Sequence, residues 1–303
     1  MNSPASPEQL AALEAENKPA PVAKKRRWRS DKLAAAGVTV PFFAIFSLFQ
    51  ILPLGWVVIN SFKYDEEWSL ENYLEILDSA FLQQAFWNSI VLSVGCSLLA
   101  IILGTAGAYS LRLIDGKLRS FVIAFSNMTS NFAGVPLAFA FVIILGFNGA
   151  FTLLFKSLGW IDDFNLYGFG GLLLIYTYFQ LPLALLLLYP AFDALKKDWE
   201  EAAWLLGASH VDYWRKIAIP VLTPALLGTF IILLANALGA YATVYALTSG
   251  NYNVITIRIA SMVSGDIFLD PNLASAVSVL LVLLLAFVTV INQWLMKRSY
   301  HEQ

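Results

Sequence analysis

Long apolar runs separated by short polar stretches set the pattern of this chain. The runs lie at about 33–61, 86–111, 121–147, 169–189, 223–247 and 273–296, and none contains Asp, Glu, Lys, Arg or His. As a helix, each is long enough to cross a bilayer core of about 30 Å. Helices satisfy their own backbone in lipid, so the pattern predicts an all-α membrane bundle of six transmembrane helices. Small residues mark close packing in the second run, with Gly95, Gly104 and Gly107 beside Ser93, Ser97 and Thr105. Prolines 41, 53 and 182 are kink points that neighbouring helices must accommodate. The acidic segment 63–84, with Trp68 and Tyr73 as interfacial anchors, reads as a short amphipathic helix on the outer surface.

Between the fourth and fifth runs, residues 190–222 form the most polar interior stretch. Asp198 with Glu201 three residues later resembles a helix start, placing Glu200 and Glu201 in the first turn, where the helix dipole favours negative charge. Gly207 is suited to the left-handed turn that ends such a helix. Ser209 with Asp212 starts a second helix, Arg215 and Lys216 lie near its end, and Pro220 closes it. The stretch therefore predicts a knuckle of two short helices with a small-residue face at Ala202, Ala203 and Ala208. An amphipathic hairpin lying at the membrane surface would show some of the same features.

Composition agrees with the pattern: of 303 residues, 58% are hydrophobic and 13% charged. The placement of charge says more than the net −2. Only Lys63, Lys156 and Arg258, of 19 Lys and Arg residues, fall in the segments that are external if the N-terminus is inside. Lys and Arg favour cytoplasmic loops, so both termini and the knuckle are expected in the cytoplasm. Residues 1–32 read as a disordered tail ending in the basic run Lys24 to Arg29, an anchor to anionic lipid rather than a nucleic-acid site. The transmembrane domain is then 33–298, and 299–303 a second cytoplasmic tail.

The chain offers little chemistry of its own. Gly116-Lys117 is followed by Leu118, so no phosphate-cradling loop with a Ser or Thr for magnesium is present. The two histidines, His210 and His301, lie outside the runs and belong to no metal or nucleophile motif. Cys96, the single cysteine, reads as a packing residue. No enzyme activity, metal or bound cofactor is expected. The runs do contain large polar side chains: Asn127 and Asn131 share a helix face, as do Tyr241 and Tyr245, and Gln180 and Asn236 stand alone. These six are candidates to line a solute path, or else to bond one helix to another.

Glu201-Ala202-Ala203, Gly207, Ile217 and Ile219-Pro220 resemble the loop signature of membrane permease subunits of bacterial binding-protein-dependent importers, in the type I ABC class. That family usually has Leu where Ile219 stands. The resemblance covers about 87–224, and Leu70 to Tyr73 with a short external segment resembles the polyamine, ferric iron, thiamine or phosphonate subfamily. It implies a permease in the bacterial inner membrane that pairs with a second permease, identical or homologous, and with an external solute-binding protein. It also implies separate ATPase subunits that hold ATP and magnesium, with Glu201, Ala202, Ala203, Gly207 and Ala208 as the coupling contact. The rival class is an ion-coupled secondary transporter, which usually needs charged groups inside its spans.

Overall fold

Uninterrupted apolar helices with small residues at their crossings account for most of the architecture. The computed structural model describes residues 37, 39–65, 67–162, 164–264 and 269–301. The expected basic tail 1–32, the start of the first run and residues 302 and 303 of the expected second tail lie outside the described residues. Two units are distinguished, Met1–Trp56 and Val57–Gln303. Six helices among the described residues are long and apolar enough to span a membrane.

Helix α1 is Thr39–Ser61, and a π-turn at Ser47–Ile51 widens it ahead of Pro53. A two-residue ladder, β1 (Lys63–Tyr64) with β2 (Glu67–Trp68), follows in the second unit. It is a small departure from the all-α expectation, made by a turn in which Asp65 takes φ 46°. Helix α2, Glu71–Asp78, is the short helix the acidic segment predicted. Its buried Asn72 donates to the carbonyls of Ser61 and Lys63 at 3.1 and 2.8 Å, which fixes the turn.

The centre of the second unit is the pair α3 (Ala80–Arg112) and α7 (Phe169–Asp193). They approach closely because α3 presents glycine: a Cβ at Gly104 would stand 2.8 Å from Ala184 Cβ, and one at Gly107 would stand 3.0 Å from Leu185 Cδ1. Helix α9, His210–Leu238, packs on both, and α12, Pro271–His301, packs on α9 and α2. Helix α12 continues past residue 298, so the expected boundary there has no break in secondary structure.

Two spans differ from the uninterrupted helices expected. The third run is α4 (Lys117–Ser130) and α5 (Val135–Leu145), with α6 (Ala150–Ser157) continuing the apolar stretch beyond the expected end. Gly134 breaks it at φ 78°, and Pro136 at the start of α5 lacks the N–H that continuation would need. The fifth run ends early at Leu238, and after Gly239 and Ala240 the chain restarts as α10, Tyr241–Thr248. The outer helix α11, Ile255–Ser264, then leads towards α12.

Replacing Gly104 by Val forces its methyl groups into Ala184. Thermal unfolding of the purified chain in mild detergent is expected to register a loss of about 1–3 kcal/mol, as in other overpacked cores. Gly228 faces open space, and Gly228→Ala should stay within about 0.5 kcal/mol.

Candidate functional site

The knuckle begins two residues earlier than the acidic pattern implies. Helix α8, Lys197–Leu205, is preceded by Lys196 without a side-chain cap, so Asp198 lies in the first turn with Glu200 rather than at the cap. Dipole complementarity remains, but the reciprocal bonding expected of Asp198 and Glu201 is absent. The helix ends as anticipated: Gly207 takes φ 80°, and its N–H donates to the Trp204 carbonyl at 2.9 Å. Ser209 then forms a capping box, accepting from the Asp212 N–H at 3.1 Å while Asp212 accepts from the Ser209 N–H at 3.3 Å. Lys216 reinforces the turn at 2.7 Å from Asp212.

Pro220 does not close the second helix, contrary to the expectation. A π-turn over Trp214–Ala218, in which the Ile219 N–H donates to the Trp214 carbonyl, lets the chain run through the proline into the fifth span. The knuckle is therefore continuous with α9 on one side and joined to α7 through three residues on the other.

One side of the knuckle is built into the protein. Ala203, at 5% exposure, packs with Tyr213, Phe192, Leu195 and Ala108, joining α8 and α9 to the ends of α3 and α7. Trp214 stands edge-on to Tyr109 at 5.2 Å, adding α3 to that core. Ala203 therefore gives close approach inward, whereas Glu201, Ala202 and Gly207 are exposed and Ala208 is half-buried. The other side carries Leu205 and Leu206, 89% and 88% exposed, beside exposed Trp204 and Val211. Sequence reasoning passed over these two leucines. Their position at the C-terminal end of a short helix whose Ala203 faces inward was the available signal.

The path candidates separate into two groups. Gln180 is fully buried: its side chain donates to the Leu233 carbonyl and accepts from Asn236 Nδ2 at 2.9 Å. It joins α7 to α9. Asn127, Asn131, Asn236, Tyr241 and Tyr245 are exposed, with Asn131 bonded to the Asn127 carbonyl and the tyrosines stacked at 5.3 Å. Asn131, Asn236 and Tyr241 flank the two helix breaks. The breaks meet, since the Gly134 N–H donates to Thr243 Oγ1 at 3.0 Å. Beside them opens a cavity of about 510 Å³ whose walls include Ser130, Asn236 and Tyr241. Broken backbone within spans is tolerated where it borders such a space. No cluster able to hold a metal ion occurs among the described residues.

Six apolar spans, two of them broken around a shared cavity, and a knuckle packed across three span ends define a polytopic membrane transport component. The model of the family described as binding-protein-dependent transport system inner membrane component matches residues 96–299, and the chain belongs to that family. The match reaches well beyond residue 224, where the resemblance in the sequence stopped. The ferric transport system permease protein FbpB of Actinobacillus pleuropneumoniae is 24% identical over 279 residues, covering 92% of this chain and 40% of that protein. The chain spans less than half the length of the ferric transport relatives it matches. The trehalose/maltose transport system permease protein MalG of Thermococcus litoralis is 25% identical, over 65% of this chain and 70% of its own. A chain of a bacterial ABC transporter that imports alginate shares the fold at TM-score 0.71 and 16% identity, over 90% of this chain and 99% of that one.

A left-handed residue with a branched side chain costs about 1–2 kcal/mol. Gly207→Val should therefore raise amide hydrogen exchange across residues 200–213 by that free energy, while Gly207→Asn, which tolerates the conformation, should raise it less.

Proposed function

We propose that this chain is a permease subunit of an ATP-driven importer, framing a solute path with a second permease and taking its motion from separate ATPase subunits through the knuckle. The observation that carries the reading is the knuckle's two-sidedness. Ala203 and its neighbours lock it to three span ends, while Leu205 and Leu206 project almost fully from a surface otherwise rich in charge. Such exposed apolar side chains among Lys197, Glu200, Glu201 and Asp212 fit a groove on a soluble partner. Family membership supports the same assignment.

In this reading Glu201 pairs at the docking face, Ala202 allows close approach, and Gly207 sets the angle between the knuckle's arms. Exposed Asn127, Asn131, Asn236, Tyr241 and Tyr245 face the path and the second permease, because polar groups inside a span avoid lipid. The chain sits in the bacterial inner membrane with both termini and the knuckle in the cytoplasm, supported by the distribution of Lys and Arg. It performs no catalysis and binds no cofactor; ATP and magnesium belong to the ATPases, and an external binding protein delivers the solute. The relatives named above belong by name to ferric and trehalose/maltose transport systems.

A tagged chain taken from its native membrane in mild detergent is expected to bring an ATP-hydrolysing protein with it. Leu205→Asp with Leu206→Asp, or Glu201→Lys, should abolish that recovery without lowering the chain's own yield. Recovery unaffected by all three changes would contradict the docking assignment. Asn127→Ala with Asn131→Ala should preserve assembly and change transport.

A further inference from the structure

Two arginines from one short turn reach the same few residues at the entrance to the knuckle. Arg112, the last residue of α3, donates from Nη2 to the Leu195 carbonyl at 2.6 Å, just before α8 begins. Arg119, in the first turn of α4, places Nη2 3.0 Å from Oδ1 of Asp193, the last residue of α7. Its guanidinium also lies 4.9 Å from the centroid of the Tyr189 ring.

What they hold is a weak point. Pro190 lies inside α7 and cannot donate to the Leu186 carbonyl, so the last turn is short of one bond. The chain then leaves the helix through Ala194 and Leu195, whose N–H groups close on Pro190 and Phe192 at 3.2 Å each. The link keeps those bonds and buries Leu195 in the core, so the arginines add polar ties at a joint that lacks one helical bond. Helix α4 packs substantially on α7 alone, so Arg119 is its polar tie at that end. Asp193 is half exposed, and ion pairs of that kind contribute little to stability. Their effect is geometric.

We propose that Arg112 and Arg119 form a transmission clamp: positioning residues that tie the turn between α3 and α4 to the link between α7 and α8, so that α4 follows the knuckle along with α7. This rests on the importer reading. Through α4 the clamp reaches Asn131 at the first helix break, so displacement of the knuckle alters the cavity from both of its broken walls. Without the clamp, α7 and α9 would still follow the knuckle, and α4 would lag.

The test follows α4 directly. In the complete transporter carrying Cys96→Ser, a single reporter cysteine replaces Asn131, and its labelling rate by a small maleimide is measured without nucleotide and with ATP plus vanadate. With the clamp intact, nucleotide should change the rate by about fivefold or more. In Arg112→Ala with Arg119→Ala, the ATPase should still co-purify and hydrolyse ATP at the original rate, while nucleotide no longer changes labelling. Arg119→Asp should lose the response, and adding Asp193→Arg should restore it. A nucleotide response that survives the double alanine change overturns the clamp alone. Loss of the ATPase from the double variant overturns it too, since the arginines would then serve docking. A clamp-intact chain that carries no ATPase overturns the importer reading and the clamp with it.

Discussion

Hydrocarbon supplies no hydrogen-bond partners, and most of this structure is a response to that constraint. The apolar runs hold no Asp, Glu, Lys, Arg or His, and the buried amide of Gln180 is bonded on both sides. Glycines of α3 bring it against α7 where packing must do the work that hydrophobicity does in water. Where the constraint is relaxed, at the breaks before Val135 and Tyr241, the freed backbone groups border a cavity and one of them is bonded across to Thr243. The broken spans and the cavity are thus one feature.

The knuckle answers a second requirement, set by the coupling role proposed for it: a polar segment stiff enough to move what it is attached to. Its capping box, its left-handed glycine and the π-turn through Pro220 give it a single shape, and the core around Ala203, Tyr213 and Trp214 gives it three attachments. The exposed leucines lie on the opposite side, so the docking proposed for them and the anchoring do not compete for the same residues.

The spans were legible because lipid makes composition decisive: each of the six runs without charge overlaps one of six helices long enough to span, although the third, Val135–Ser157, starts inside its run and passes Lys156. The knuckle was legible because Gly207, Ser209 and Asp212 act locally. Less was visible where tertiary context decided. Gly134 and Pro136 stood in plain sight, yet an apolar run around them reads as one helix unless the cavity beside it is known. Pro220 reads as a stop until the π-turn ahead of it is seen. Gln180 and Asn236 look alike in sequence, but one is consumed by bonding α7 to α9 and the other borders the cavity. Ala202 and Ala203 are neighbours of identical chemistry, and only the direction of the helix turns one inward.

The central claim is that the exposed tip of the knuckle is where an ATP-hydrolysing partner meets this chain. A photocrosslinking residue placed at Leu206 and activated in native membranes tests it most directly, with the same residue at the distant, exposed Trp160 as control. The account predicts an adduct with a nucleotide-binding protein from position 206 and none from 160. An adduct from neither position, or from 206 only with lipid, would contradict it.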